Sequence, residues 1–450
     1  MMRFKFGAVF SLYFLMALVA ASCQKPTDAV VATVDGEPIL ESDLIRAFAY
    51  FKPIEDIRHA TPESLRKTLD ELIERKLILL EARQQNYNEN QQIQRELEKI
   101  KRLQLYHYAL NRLVYEPYFS PDELKRYYRY LRFQRRVRHI FLPLNPIAPE
   151  RESRKIQATL QRIRRELEKS GDFAKMAEKY SRDRNSAKNG GDLGYISWRA
   201  RPFDMAVFAL PLNQISEPVR TEIGFHLIEV TEERELFVPP YQEAKFLILN
   251  YLRRARAKEL TGAIDSMAQT LKSRYHYRVI QENVIYVVEK LRAIASRPDP
   301  EPVAFIEIFN ETDMAQPLVT FDGGRITIRD MGANFHRINS EQQLGFWLET
   351  TGRQELFLQE ARKRGLDREP YFRYQLQQAL EEQLRKEFEN MVIEEKASAQ
   401  LKQQNRTSMR MTEWRRLKRE VRKEWIDALK QQYTIHIEES KLNHILSKLL

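Results

Sequence analysis

Eight histidines and a single cysteine are the side chains of this 450-residue chain best suited to metal or covalent chemistry, and their spacing argues against most of it. His59, His107, His276, His336, His436 and His444 are scattered, and none has a second ligand at the short spacing of a zinc site. The chain has no Gly-rich phosphate loop, no nucleophile triad and no zinc motif. No metal and no cofactor is expected. The other two histidines, His139 and His226, fall in a stretch of different texture, so the elements around them come next.

That stretch opens at Arg136. The pattern predicts a strand over 137–142, a helix over 152–170 and a second over 172–180. A Gly/Asn loop follows, then short strands, a small helix over 203–209, and strands over 219–221 and 225–231. This βααβαββ order in about a hundred residues describes one α+β domain. Long charged helices dominate elsewhere. Val31–Val34 reads as a strand, Asp35-Gly36 as a turn, and Ser42 as the cap of a helix opening at Asp43-Leu44. Helical periodicity marks 69–83 and 93–114, and a further helix begins at Ser120-Pro121 and runs to about Phe133. Pro239-Pro240 is a linker before a long helix over 241–271. An internal repeat lies across the flanks. Val34-Asp35-Gly36-Glu37-Pro38-Ile39 is echoed by Phe321-Asp322-Gly323-Gly324-Arg325-Ile326, and Glu81-Ala82-Arg83 by Glu360-Ala361-Arg362, in the same order.

Residues 136–234 carry an ordered series of short motifs: Arg138-His139-Ile140, Asp172-Phe173-Ala174, Tyr180-Ser181-Arg182-Asp183, Ser186-Ala187, Gly190-Gly191-Asp192-Leu193-Gly194, Phe208-Ala209-Leu210, Ile215-Ser216-Glu217-Pro218-Val219 and Thr221-Glu222-Ile223-Gly224-Phe225-His226. In this order they resemble the parvulin family of peptidyl-prolyl isomerases. Residues 31–48 and 77–83 resemble the chaperone segment of SurA/PrsA-type envelope foldases. The resemblance covers roughly residues 31–280. It implies an α+β architecture: mainly helical chaperone modules flanking one parvulin-like domain, a four-stranded antiparallel sheet with helices. The expected segments are 1–23 signal, 24–135 N-terminal chaperone segment, 136–234 isomerase, 235–280 a helix completing the N-terminal module, and 281–450 a second, degenerate copy.

Isomerising an X–Pro bond crosses a barrier near 18–20 kcal/mol without breaking a covalent bond. A thousandfold acceleration needs only about 4 kcal/mol. An apolar pocket for the proline ring disfavours the polar planar amide, and hydrogen bonds to the flanking peptide orient it. The resemblance makes His139 and His226 the core pair of the sheet, able to polarise the amide or to hold the site in shape. Ser181 and Thr221 join their polar cluster, and Asp183 faces the substrate bond. Leu193, Phe203 and Phe208 line the proline pocket. The chain departs from the pattern between Gly194 and Phe203, where a longer family loop carries Gly-Gln-Met; here it is about two residues shorter and has no methionine. Either Trp198 supplies the missing wall or the pocket is degraded, and the domain then acts as a peptide-holding module. Arg151, Arg154 and Lys155 are read as a solvated helix face, not a phosphate site.

The first residues set the compartment. Arg3 and Lys5 precede an uncharged, mostly apolar run over 6–21, then Ala20-Ala21-Ser22-Cys23. These are the parts of a signal peptide. Cys23 stands where a bacterial lipoprotein signal places its lipidated residue, although Ala20 replaces the usual leucine. A lipid-anchored protein on the periplasmic or other extracytoplasmic face of a bacterial membrane is expected, with an ordinary cleaved signal or an uncleaved anchor as the alternatives. Net charge is +11, but an exported protein meets no nucleic acid, which leaves anionic lipid and acidic unfolded segments as partners. The expected function is isomerisation and chaperoning of unfolded or nascent exported proteins through their proline-containing segments. A holdase with an inactive parvulin domain and an envelope scaffold with one dedicated partner are the alternatives.

Overall fold

Asp35 and Gly36 both adopt positive φ, 50° and 80°, as a two-residue hairpin turn requires. They join Val30–Val34 (β1) to Glu37–Leu40 (β2) as an antiparallel pair. This computed structural model describes residues 28–49, 61–236, 238–296, 304–332, 335, 338, 340–403 and 409–449. The expected signal segment with Cys23 lies outside the described residues. After the hairpin come Glu41–Ala49 (α1) and Pro62–Gln84 (α2). Helix α2 starts in a capping box formed by Thr61 and Ser64 and buries Leu65, Leu69, Ile73 and Leu77 at helical spacing. Gln91–Leu110 (α3) continues through a π-helical turn, Asn111–Tyr115. Pro121–Leu131 (α4) is capped by Ser120 and buries Leu124, Tyr127 and Leu131.

The central sheet is built from Phe133–Pro143 (β3), then Glu150–Ser170 (α5), Phe173–Tyr180 (α6), Asp192–Ser197 (β4), Pro202–Ala209 (α7), Val219–Thr221 (β5) and Gly224–Glu235 (β6). Its strand order is β4-β3-β6-β5, and each pair is antiparallel. Alternation along β3 and β6 gives the sheet two different faces. Ile140, Phe225 and Leu227 pack with Leu160, Ile163, Leu167 and Phe173 of α5 and α6. Val137, Ile228 and Val230 face a larger core with Val207 and Phe208 of α7 and with Leu124, Tyr127 and Leu131 of α4.

The single long helix expected over 241–271 is two, Tyr241–Ala255 (α8) and Ala257–Arg274 (α9), separated at Arg256, whose φ of −118° and ψ of 35° leave the helical region. Residues Arg278–Val279 (β7) and Gln281–Ala295 (α10) follow. A second hairpin, Pro317–Phe321 (β8) and Gly324–Thr327 (β9), leads to Glu341–Lys363 (α11), Pro370–Gln403 (α12), Met411–Gln432 (α13), Ile435–Ile437 (β10) and Glu439–Leu449 (α14).

The two hairpins are closed in the same manner. Strand β10 adds to β1, giving the order β10-β1-β2, and β7 adds to β8, giving β7-β8-β9. The repeated glutamates hold the tyrosine before each closing strand: Tyr433 donates its hydroxyl to Glu81 at 2.8 Å and Tyr275 to Glu360 at 2.6 Å. Residues Arg278–Val279, from the segment expected as a helix completing the N-terminal module, thus pair with the second hairpin, and the C-terminal strand pairs with the first. Two compact units result, residues up to Ile93 with Gln383–Leu450, and Gln94–Glu382.

Candidate active site

On β3 and β6 the register sets Phe141 opposite His226 and His139 opposite Ile228. His139, Phe141 and His226 thus share the face that α7 covers. His139 and His226 are 6% and 4% exposed, and their Nδ1 atoms lie 3.1 Å apart. His139 Nε2 is 3.0 Å from Asp183 Oδ2 and 3.2 Å from Ser186 Oγ. His226 Nε2 is 2.9 Å from Thr221 Oγ1.

One proton arrangement satisfies every member of this chain without a buried imidazolium. Thr221 Oγ–H donates to His226 Nε2, His226 Nδ1–H donates to His139 Nδ1, and His139 Nε2–H donates to the Asp183 carboxylate. Ser186 Oγ donates to the same carboxylate oxygen at 2.6 Å, and the Asn185 amide donates to the other at 3.1 Å. Burial favours the uncharged form of His139 against the pull of Asp183, holding its pKa below the usual value. Burial and the neighbouring His139 push His226 down to about 3. Burial alone would raise Asp183, but its hydrogen bonds from Ser186 and His139 outweigh that and hold it below the usual carboxylate range. Near neutrality the cluster is a neutral histidine pair beside a carboxylate whose lone pairs are largely engaged, better suited to fixing His139 than to abstracting a proton.

Aromatic rings enclose the pair. Phe203, on α7, meets His226 and His139 edge-on with centroids at 5.0 and 6.0 Å. Phe141 stacks on His226 at 4.8 Å. Leu193, at the start of β4, is 36% exposed. Gly191 allows β4 to pass this close: its φ is 81°, and a Cβ there would lie 2.4 Å from the His139 carbonyl oxygen.

The structure brings together His139, Asp183, His226, Thr221 and Phe203. Ser181 stands beside them in another role: its Oγ accepts from the amides of Phe141 at 3.1 Å and Asp183 at 3.3 Å, tying the loop to the strand. Phe208 turns away from the histidines into the core, 5.7 Å from Tyr130, with the Arg135 guanidinium over its ring. Trp198 also turns away and stacks on Tyr127 of α4 at 5.0 Å. The indole thus packs against the helices, where it also meets Tyr251 edge-on. Sequence reasoning did not assign Phe141 or Ser186. Phe141 follows His139 by two, the period that puts strand residues on one face, and Ser186 stands in a quoted motif. Open grooves of about 490 and 370 Å³, lined in part by Arg419 and Arg422, contain none of these residues.

The model of the PPIC-type PPIase domain matches residues 139–232. A "Foldase protein PrsA" of Caldanaerobacter subterraneus is 30% identical over 287 residues, which are 56% of this chain and 89% of that protein. The chain belongs to the parvulin-type foldases. A "Parvulin-like PPIase" of Rickettsia felis is 28% identical over 261 residues, covering 54% of this chain and 87% of the relative. Among solved structures, the peptidylprolyl isomerase PrsA of Bacillus anthracis is 20% identical, covers 44% of this chain and 96% of its own, and has a TM-score of 0.25. This parvulin-type foldase is a peptidyl-prolyl cis-trans isomerase that assists protein folding, and the histidine pair lies in the segment matched by the isomerase model.

Proposed function

We propose that the X–Pro bond of a client binds over the Asp183–His139–His226–Thr221 chain, with its proline ring against Phe203 and Leu193. The observation that carries this is the edge-on seating of Phe203 on both imidazoles, 5.0 and 6.0 Å between centroids. It sets an apolar wall directly beside a fixed polar floor. As the amide twists it loses resonance, its nitrogen becomes more basic and its carbonyl less polar. The apolar wall disfavours the planar form, and the neutral histidines, held by Asp183 and Thr221, add little charge to oppose the change. Ser181 and Ser186 keep the loop and Asp183 in place.

The test is a peptide isomerisation assay on a short X–Pro substrate with Asp183→Ala and Phe203→Ala. Both variants are expected to lose at least tenfold in kcat/KM, about 1.4 kcal/mol of transition-state stabilisation. Wild-type rates in both would remove the assignment.

The same reading places the protein outside the cytoplasm, held to a membrane by acyl chains on Cys23. The basic start, the apolar run over 6–21 and the small residues before Cys23 support it. Two or more chains on one residue hold a protein to a bilayer far better than one does. Among the described residues no helix is long and apolar enough to cross a membrane. Segment 24–135 and the second copy in 281–450 serve in this reading as peptide-holding surfaces that deliver proline segments to the cleft at 136–234.

A further inference from the structure

Trp198 lies in the shortened link between β4 and α7 and is 1% exposed. Its indole stacks on Tyr127 of α4, with centroids 5.0 Å apart and planes at 18°. It meets Tyr251 of α8 edge-on at 5.9 Å and 82°. Both tyrosines come from helices that flank the isomerase sheet in the chain. On its other side, indole Nε1 donates to the Met205 sulfur at 3.3 Å. Met205 and Phe203 are two residues apart on α7, roughly 200° around a helix with 3.6 residues per turn. One side of α7 therefore rests on Trp198 while the opposite side presents Phe203 to the histidines.

The turn that carries Trp198 is tied to the same helix. Asp204, 0% exposed, accepts from the amides of Arg199 and Arg201 at 3.1 and 3.3 Å. It also accepts from Nε and Nη2 of Arg201 at 3.0 and 2.9 Å. Ala200, between them, has a φ of 61°, a left-handed conformation that alanine keeps only where its surroundings impose it. Loop, tryptophan and helix thus form one fixed piece seated on α4 and α8.

We propose that Trp198 is a positioning residue: docked on α4 and α8, it holds α7 so that Phe203 stays over the histidine pair, and the flanking helices thereby set the ceiling of the proline pocket. The proposal rests on the reading of Phe203 as the apolar wall of that pocket. A tryptophan that served only as core would change stability and leave the catalytic constants of the folded molecule alone.

The experiment uses the full chain, a short X–Pro peptide and a temperature well below the unfolding transition, with Trp198→Ala, Trp198→Phe, Tyr251→Leu and Phe203→Ala. Trp198→Ala is expected to lower kcat/KM about tenfold, chiefly through a higher KM, because a ceiling free to move binds ground state and transition state alike more weakly. Trp198→Phe keeps a ring in the stack and is expected to recover at least half of the wild-type value. Tyr251→Leu, whose side chain is outside the isomerase sheet and touches Trp198, is expected to lower kcat/KM about threefold. Wild-type constants for Trp198→Ala or for Tyr251→Leu, alongside a loss in Phe203→Ala, would overturn the proposal and leave the pocket standing. Wild-type constants for Phe203→Ala would overturn the pocket and the proposal with it. If Trp198→Ala does not fold, Tyr251→Leu and Trp198→Phe decide by the same values, wild-type constants in Tyr251→Leu or a tenfold loss in Trp198→Phe counting against it.

Discussion

Acidification should destabilise the isomerase sheet through its buried histidines, well before most carboxylates titrate. An unfolded histidine takes up its proton near pH 6.5, whereas burial and His139 hold folded His226 down to about 3. Between those values the unfolded chain binds more protons than the folded one, so stability falls as pH falls and levels off above about pH 7. For His226 alone the step from pH 7 to pH 5 amounts to about 2 kcal/mol. His139, whose pKa is also lowered by burial, adds to the fall in the same window. Asp183 adds in the same sense only at more acid pH, near its own range, because its folded pKa is lowered too. The assay is urea unfolding at pH 7, 6 and 5, wild type against His226→Gln, which cannot titrate. The variant starts less stable, since Thr221 and His139 lose a partner, but its stability should fall by about 2 kcal/mol less over the interval. An equal fall in the two proteins would refute the buried, neutral His226 on which the proton arrangement is built.

Gly191→Ala should abolish isomerisation and lower stability by at least about 2 kcal/mol, because the φ of 81° is left-handed and the new Cβ would lie 2.4 Å from the His139 carbonyl oxygen; a thermal melt and the peptide assay read the two effects. Cys23→Ser should move the protein from the membrane fraction to the soluble envelope fraction without changing peptide isomerisation, and acyl labelling at wild-type level in that variant would contradict the anchor.

The isomerase sheet was legible because its determinants are local. Left-handed glycines at 190, 191 and 194 punctuate the chain, and alternation along β3 and β6 gives the two faces. His139 and His226 could be paired only through the family resemblance, since the two strands that carry them are far apart in sequence. The direction of Trp198 and Phe208 was not legible. Both are aromatic residues beside a pocket-forming helix, and whether such a ring faces the pocket or the neighbouring helix depends on loop length and on partners such as Tyr127 and Tyr130. The closing strands were hidden for a related reason. Residues 435–437 pair with residues 32–34, and two strands as short as these give no local sign of which hairpin each will join. The two hairpin turns were readable because the Asp-Gly pairs that make them are local. The work of Glu81 and Glu360, holding Tyr433 and Tyr275, emerges only from the fold.

The central claim is that a proline ring sits against Phe203 above the histidine pair. A client-like peptide with a photoreactive residue beside its proline, irradiated with the full chain and mapped by mass spectrometry, tests it most directly. The account predicts attachment within 183–193 and at Phe203, lost when an unmodified proline peptide competes. Competed attachment confined to residues outside 136–234 would contradict it.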